Sequence, residues 1–583
     1  MVAPSLLLPS AASFSTYRMN EVFQGMQSWN LQKAISCVYV SNQKHSGNNI
    51  TFYRIPFRDF ALHYAWRTFA SVGSLEANVV GQGNHVTSGV PSPNNFQRSE
   101  AFSDCSSKAM ADVKNFERQL EELFDEVKKM IMMGNKKDAI DLLEANYEAV
   151  NERINAGARG LEEAAVLDVI ALGYMAVGDL KFVGALLEML NELVDSLKDD
   201  EPLLDPVLVH MGSMYSTLGK FKKSVLMYQR AIDIMENKHG KTCLYLVTPI
   251  LGMAKALGSI GRATKAIEFY HRSINILESC RGSENEDLII PLFGLGNLLL
   301  KEGKSMEAET PYLRILNIYT KLYGEHDGRV GMTMCSLAHV KCAMGNANEA
   351  IQLYRNALQV IKDSNYMALD DSTMEKMRVD LAELLHVVGR GKEGRELLEE
   401  CLLIIEKSRG KEHPSSVRHL INLATSYSRS KDYVQAEHLL RTSLEILTKT
   451  VRPDDPSITF PMLHLAVNLY HLRRDEEAEK IALKALHIRE NAFGKDSLPV
   501  AEALDCLVSI QTRLMEDDEV LLEQLKRILS IQQKEMGFES EEVLITLKKV
   551  AFYLDKLGRR NEKLSVQKRL SKLKLKFKQQ IKP

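Results

Sequence analysis

The sequence predicts an all-α solenoid of about eleven antiparallel helix pairs. Glycines recur at Gly219, Gly261, Gly303 and Gly345, at three successive intervals of 42 residues, and an apolar helical pattern lies on both sides of each. A small residue stands seven positions before each glycine, and a second small residue stands five positions after it. A repeat of this length indicates stacked helix pairs, since one pair alone cannot bury its apolar face.

The same spacing extends in both directions from these four glycines. Upstream it reaches Gly134 and Gly178, and downstream, after a two-residue slip, it reaches Gly389, Lys431, Arg473, Met515 and Gly558. The preceding small or aliphatic residues are Ala171, Gly212, Ala254, Gly296, Ala338, Ala382, Ala424, Ala466, Val508 and Ala551. The following ones are Ala139, Val183, Ser224, Ala266, Ala308, Ala350, Gly394, Ala436, Ala478 and Val520. Small side chains let two helices cross closely, and the turn residue ends the first helix in a left-handed cap.

The first 99 residues differ in composition from the repeats. They contain three acidic and seven basic residues and are rich in Ser and Asn, which is typical of an organelle transit peptide. A disordered tail is the alternative. The uncharged, Ser-, Ala- and Pro-rich start favours a plastid, with the stroma as destination, whereas Arg67 to Ser71 resembles a mitochondrial processing site and leaves the mitochondrial matrix open. A cytoplasmic location is the third possibility.

These observations divide the chain into four segments. We predict a cleaved transit peptide at residues 1–70, a disordered linker at 71–107, the repeat array at 108–558 and a basic capping helix or tail at 559–583.

Composition limits the possible functions of the whole chain. Hydrophobic residues make up 45% and charged residues 26%, with no apolar stretch long enough to cross a bilayer. A net charge of -2 argues against nucleic acid as a partner for the chain as a whole. Eight scattered cysteines without a CxxC motif indicate a reducing compartment and no disulfides.

The segments that link the repeats point to a family. Arg409 to Val417 (RGKEHPSSV) and Phe493 to Ala501 (FGKDSLPVA) resemble the "LGxxHPxVA" connector of the kinesin light chain and nephrocystin-3-like group of tetratricopeptide repeat proteins, and Tyr323 to Asp327 is a degraded copy. The resemblance covers roughly residues 115 to 570. It implies a right-handed superhelix that binds other proteins.

One feature of kinesin light chains is missing from this sequence. Those proteins carry a long heptad coiled coil before the repeats, whereas here only about residues 108–131 read as helix in that place. A cytosolic role as a motor or cargo adaptor is therefore an alternative function.

The resemblance also implies where a protein ligand would bind. In this family the first helix of each pair lines a concave groove at positions thirteen, ten, six and three before the turn. These positions hold Ile290, Phe293, Asn297, Leu300, Met332, Cys335, His339, Cys342, Phe460, Leu463, Val467 and Tyr470. Two apolar stretches suit an amphipathic helix or an extended apolar segment as ligand. The alternative is that these side chains are buried against neighbouring helices.

The groove does not hold the set of Lys and Asn residues with which related repeats clamp a carboxylate. Lys255, Asn297 and Arg418 hold groove positions, but in three different repeats, which disfavours acidic chaperone tails as ligands.

Two further motifs predict no chemistry. Gly389 to Gly394 matches GxGxxG, but a dinucleotide fingerprint must follow a strand, and this motif lies in a helix-to-helix turn. Cys335, His339 and Cys342 share one helix face, yet a metal would require a fourth ligand, so we interpret the thiols as core or groove residues. We predict no enzyme activity, cofactor or metal.

The carboxyl end has ten basic residues and one acidic residue from Arg559 to Pro583, with interleaved leucines. This pattern predicts a capping helix with a solvated outer face. The alternative is a contact with RNA, an anionic membrane surface or an acidic partner. Overall, the sequence predicts an organellar protein-interaction scaffold or assembly factor with protein partners of unknown identity, and an RNA-associated factor is a further alternative.

Overall fold

The computed structural model describes the backbone of residues 100–580 and the side chains of residues 115–576. The predicted transit peptide and most of the predicted linker lie outside the described residues. The first helix begins at Glu100, so it includes the last part of the segment that we assigned to the linker. No glycine or proline interrupts residues 100–132, which allows the helix to extend further toward the amino end than 108.

Residues 100–580 form 22 α-helices, which is the predicted number of eleven pairs. In chain order they are α1 Glu100–Met132, α2 Lys136–Asn155, α3 Leu161–Val177, α4 Leu180–Ser196, α5 Leu204–Thr217, α6 Phe221–His239, α7 Val247–Ile260, α8 Ala263–Arg281, α9 Ile289–Lys301, α10 Ser305–Tyr323, α11 Gly328–Ala343, α12 Ala347–Asp363, α13 Ser372–Val387, α14 Gly391–Arg409, α15 Ser416–Arg429, α16 Tyr433–Thr450, α17 Thr459–His471, α18 Asp475–Phe493, α19 Leu498–Leu514, α20 Asp518–Met536, α21 Glu541–Lys556 and α22 Arg560–Gln580. We call the odd-numbered helix of each pair the A helix and the even-numbered one the B helix. The predicted all-α fold class is confirmed.

The turn between the two helices of every pair is left-handed. Each predicted turn glycine has a positive φ, from 71° at Gly558 to 97° at Gly178. Three turns adopt the same conformation without glycine, at Lys431, Arg473 and Met515, with φ of 61° to 65°. The repeat therefore imposes this backbone geometry even where the side chain opposes it.

The small residues of the repeat lie at the contacts between paired helices. Ala254, Ala338 and Ala466 are fully buried, and Ser224 donates its hydroxyl proton to the carbonyl oxygen of Gly212 at 2.7 Å. The prediction is wrong at Val520, which is exposed, because α20 starts three residues after its turn instead of two. Leu521 occupies the buried position there.

The described residues divide into two compact units. One ends at Tyr323 and contains helices α1 to α10, and the other starts at Gly324 and contains α11 to α22. In the first unit the largest fully buried side chains include Tyr215 and Tyr312, and in the second unit they include Tyr354 and Tyr553. Each unit has its own core, built from the inner faces of its helix pairs.

Within the basic segment at the carboxyl end, residues Arg560–Gln580 form helix α22. Helix α22 packs on α21 through Leu570 and Leu573, which join Val543 and Leu547 in one buried cluster. Within residues 100–580, no helix combines the length and the apolar character needed to cross a membrane.

Candidate protein-binding surface

The A helices present the predicted ligand-binding positions on one face. Positions thirteen, ten, six and three before the turn are spaced by three or four residues, which places them on a single stripe of an α-helix. The left-handed turn fixes the residue at which each A helix ends. It thereby fixes where along the helix the four positions lie. We call this stripe the A face and describe it separately in each unit.

In the unit that ends at Tyr323, helix α9 carries the predicted residues Ile290, Phe293, Asn297 and Leu300. The first three side chains are half-buried. Leu300 is buried, so it packs against neighbouring helices and does not line an open groove. The ring of Phe293 lies edge-on to Tyr312, with centroids 5.8 Å apart. Phe293 therefore has both a fixed orientation and an accessible surface.

Buried tyrosines support the polar positions of this A face. Tyr312 donates its hydroxyl proton to Asn297 Oδ1 at 2.7 Å, and Tyr228 forms a hydrogen bond with the side chain of Ser213. Ser213 and Asn297 both stand six positions before their turns. Burial raises the pKa of both phenols, so each hydroxyl remains neutral and holds the polar side chain in place.

Helix α11 of the second unit carries Met332, Cys335, His339 and Cys342. Cys335 is buried and the other three are half-buried. His339 Nε2 lies 3.3 Å from Asp380 Oδ2, and its ring lies edge-on to Tyr354. The structure thus brings His339 together with a carboxylate that the sequence did not indicate.

The charge of His339 depends on these neighbours. Burial lowers the pKa of His339, but Cys335 and Asp380 outweigh burial and raise the pKa to about 10. His339 Nδ1 is buried without a hydrogen-bond partner among the described residues. Burial also raises the pKa of the Cys342 thiol to about 11, which keeps it protonated and unreactive near neutral pH. No three His, Cys, Asp or Glu side chains in the described part of the chain gather as metal ligands.

Helix α17 presents the most accessible aromatic residue among the predicted positions. Phe460 is 41% exposed, and its ring contacts His464 at a centroid distance of 4.5 Å. Tyr470 is half-buried, with the guanidinium of Arg513 3.3 Å from the centre of its ring. Leu463 is buried in the core, so it packs between helices. The open part of this face is therefore Phe460, with half-buried Val467 and Tyr470 beside it.

Two residues that the sequence reasoning missed lie on helix α21. Ile545 and Phe552 are 38% and 36% exposed, and they stand thirteen and six positions before Gly558. Both residues could have been found from the sequence, because they stand at the same distances from the turn that were used to select Phe460 and Val467. Exposed Lys548 stands at the intervening position, and Arg418 on α15 is likewise exposed.

The GxGxxG motif is a turn between helices. Val387 ends α13 and Gly391 begins α14, with Gly389 in the left-handed conformation between them. A β-carbon on Gly394 would lie 2.7 Å from the carbonyl oxygen of Ala382, so this glycine allows close helix packing. Within residues 100–388 a helix, not a strand, precedes the motif.

Several proteins of known structure are similar to this chain. A putative kinesin light chain from Podosopora anserina, with nearly identical TPR-like repeats, is 22% identical over 35% of this chain and 95% of its own, with a TM-score of 0.32. BtubC (BKLC) from P. vanneervenii is 17% identical over 39% and 92%, with a TM-score of 0.32. The quorum sensor NprR from B. thuringiensis is 14% identical over 64% and 99%, with a TM-score of 0.38. No curated protein matches this chain.

Models of protein families identify the type of repeat. Models described as tetratricopeptide repeat match residues 206–237, 245–321, 287–363, 373–449 and 462–498. The matched segments follow the helix pairs and left-handed turns described above. These segments of the chain are therefore tetratricopeptide repeats.

Proposed function

We propose that this protein is an interaction scaffold or assembly factor that binds a segment of a partner protein along its A face. The observation that carries the proposal is the accessible aromatic surface of Phe460, on the helix stripe with which this superfamily binds proteins. Contact of the phenylalanine ring with water is unfavourable, so a ligand that covers the ring gains free energy. Complete burial of such a side chain contributes about 1.5–3 kcal/mol. Half-buried Val467 and Tyr470 extend the same apolar surface.

Polar groups beside the apolar surface would select the ligand. Arg418 is exposed on α15, and His339 carries a positive charge below its pKa of about 10. On the A face of the other unit, which ends at Tyr323, Asn297 holds its carbonyl oxygen toward Tyr312 and keeps its amide nitrogen for another acceptor. A partner segment that combines apolar anchors with hydrogen-bond acceptors fits the polar groups of either unit, as an amphipathic helix or an extended strand does.

A comparison of captured partners tests this proposal. The chain from residue 71 is immobilised and exposed to organelle extract, as wild type and with Phe460→Asp or Phe293→Asp. Phe493→Asp is the matched control, since Phe493 is 50% exposed but ends a B helix. We expect the same partners to disappear with one or both A-face variants and to remain with the control. Identical partner lists for all four proteins would refute binding at the A face.

We also propose that the protein has no enzymatic activity. Burial raises the pKa of the Cys401 and Cys506 thiols to about 12, so neither is an activated nucleophile. The family to which the repeats belong is typically non-catalytic and binds proteins.

We propose the plastid stroma as the location, with the mitochondrial matrix as alternative. The acid-poor, Ser-rich composition of residues 1–99 supports import into an organelle. A fluorescent fusion of residues 1–110 tests it directly. Import into plastids supports the proposal, import into mitochondria supports the alternative, and diffuse cytosolic fluorescence would favour the adaptor role instead.

A further inference from the structure

Helix α22 exposes two leucines on the side that faces away from α21. Leu564 and Leu575 are 56% and 61% exposed, whereas Leu570 and Leu573 on the opposite side are buried. Leu564 and Leu575 are eleven residues apart, or three turns, so they stand above one another on the helix. Between them lie Lys568, Ser571 and Lys572, all exposed. We call these five residues the outer stripe.

The outer stripe is positively charged. Lysine or arginine stands at eight positions of α22, and Glu562 is its only acidic residue. Glu562 pairs with Lys526 and Arg559. Lys563 and Lys576, at the flanks, are paired with Asp555 and Glu539. Among the described side chains, Lys568 and Lys572 form no salt bridge, although Lys572 also acts on Glu539 at longer range. Two cations of the stripe therefore remain available to a ligand.

We propose that the outer stripe docks an acidic amphipathic helix of a partner protein, with the two leucines as anchors and Lys568 and Lys572 as the cations that pair with its carboxylates. This surface is separate from the A face, so the proposal does not depend on the proposed function. Charge complementarity selects the occupant. A second copy of the stripe would bring like charges together, and residues 1–99 carry seven basic against three acidic residues.

The geometry favours a protein helix over two other anionic ligands. A helix that lies in a membrane surface needs a wide apolar face, and the wide apolar face of α22 is used against α21. RNA would engage the lysines but would gain nothing from two leucines three turns apart. A partner helix fits, because its own apolar side chains recur every three or four residues along one face, so two of them can also stand eleven residues apart.

The test measures binding of a synthetic probe to the full chain by fluorescence anisotropy. The probe is a helical peptide with leucines at intervals of four and three residues and glutamates on both flanks. A second peptide has serine in place of leucine at unchanged charge. We expect the leucine peptide to bind, and the serine peptide to bind at least about tenfold more weakly, since one buried leucine corresponds to about that factor.

Variants locate the binding on the stripe. Leu564→Gln with Leu575→Gln should weaken binding of the leucine peptide at least about tenfold, and Lys568→Gln with Lys572→Gln should remove most of its salt dependence. Leu226→Gln with Leu483→Gln is the control, because these leucines are similarly exposed on other B helices. All substituted side chains are exposed, and a circular dichroism spectrum confirms that each variant is folded.

Three results would overturn the proposal. One is equal binding of the two peptides, which would indicate charge attraction alone. Another is equal binding by the stripe and control variants. The last is binding of polyuridylate RNA or phosphatidylserine vesicles without binding of the leucine peptide, which would assign the stripe to a different class of ligand.

Discussion

A β-carbon on Gly252 would lie 2.2 Å from the ring of Tyr228, so the absence of a side chain at Gly252 is what lets helix α7 approach helix α6 of the preceding pair. Tyr228 also packs on Gly212 of its own pair, where a β-carbon would lie 2.9 Å from the ring. One tyrosine thus joins two successive pairs. The same relationship recurs between Tyr270 and Gly294, where the distance would be 2.5 Å.

Gly252→Ala should destabilise the protein by about 1–3 kcal/mol, because the buried Tyr228 ring has no space to move into. Urea unfolding measures this difference. Gly184→Ala is the control, since Gly184 lies within helix α4 with nothing within 4 Å of the added carbon. Gly184→Ala should raise the free energy of unfolding by about 0.5–1 kcal/mol through helix propensity. Equal effects of the two substitutions would contradict the assigned contact.

The three left-handed turns without glycine predict stabilising substitutions. Met515→Gly should raise the free energy of unfolding by about 0.5–1 kcal/mol. The left-handed conformation costs a residue with a β-carbon about 1–2 kcal/mol, and glycine avoids this cost. The greater conformational entropy of glycine in the unfolded chain offsets part of the gain. Met515 is 91% exposed and gives up little packing. Lys431→Gly and Arg473→Gly should act in the same direction. Gly261→Ala, the reverse change at a φ of 87°, should destabilise.

His386 predicts a loss of stability in mild acid. Burial, together with Arg429 and Arg395, lowers the pKa of His386 to about 4. The unfolded chain binds the proton near pH 6.5, so the contribution of neutral His386 to stability is complete above about pH 6.5 and is lost as the pH falls toward 4. Allowing for the partial exposure of the ring, this amounts to about 1–2 kcal/mol.

The measurement compares His386→Gln with wild type by urea unfolding at several pH values. The difference in the free energy of unfolding should shift in favour of the variant as the pH drops from about 7 to about 4.5. His438→Gln, an exposed position on α16, is the control. A constant difference over this pH range would contradict the shifted pKa.

His339 predicts the opposite pH dependence. Its pKa is raised to about 10 despite burial, so its charged form stabilises the fold fully below about pH 6.5, and this contribution is lost as the pH rises toward 10. His339→Gln should cost about 1–3 kcal/mol at pH 6 and much less at pH 10. Asp380→Asn should show the same trend, because Asp380 provides part of the interaction. A cost of His339→Gln that grows with pH would be inconsistent with the pair.

The fold could be predicted from the sequence because the residues that form the turns and the helix contacts recur at a fixed spacing. Its glycines identified the turns, and their spacing located Lys431, Arg473 and Met515, which have no local turn signal. The contact between Gly252 and Tyr228 was not predicted, because a glycine nine positions before the turn occurs in only some repeats. Val520 was misplaced because one extra residue in a turn shifts all later positions on the helix.

The A face was only partly predictable. The offsets selected positions on the correct helices, but they could not separate open Phe460 from buried Leu463, since burial depends on the neighbouring pair. They also could not reveal that Asp380 lies beside His339, because two residues 41 positions apart meet only after the pairs stack. The leader at residues 1–70 lies outside the described residues and stays a prediction.

Site-specific photocrosslinking tests the central claim most directly. A photoreactive phenylalanine analogue is placed at Phe460 or, as control, at Phe493, and crosslinked partners are identified after illumination in organelle extract. We predict that the analogue at position 460 captures a defined partner segment, and that excess synthetic peptide of that segment suppresses the crosslink. Equal capture from positions 460 and 493, or capture at 460 that the peptide does not suppress, would contradict ligand binding at the A face.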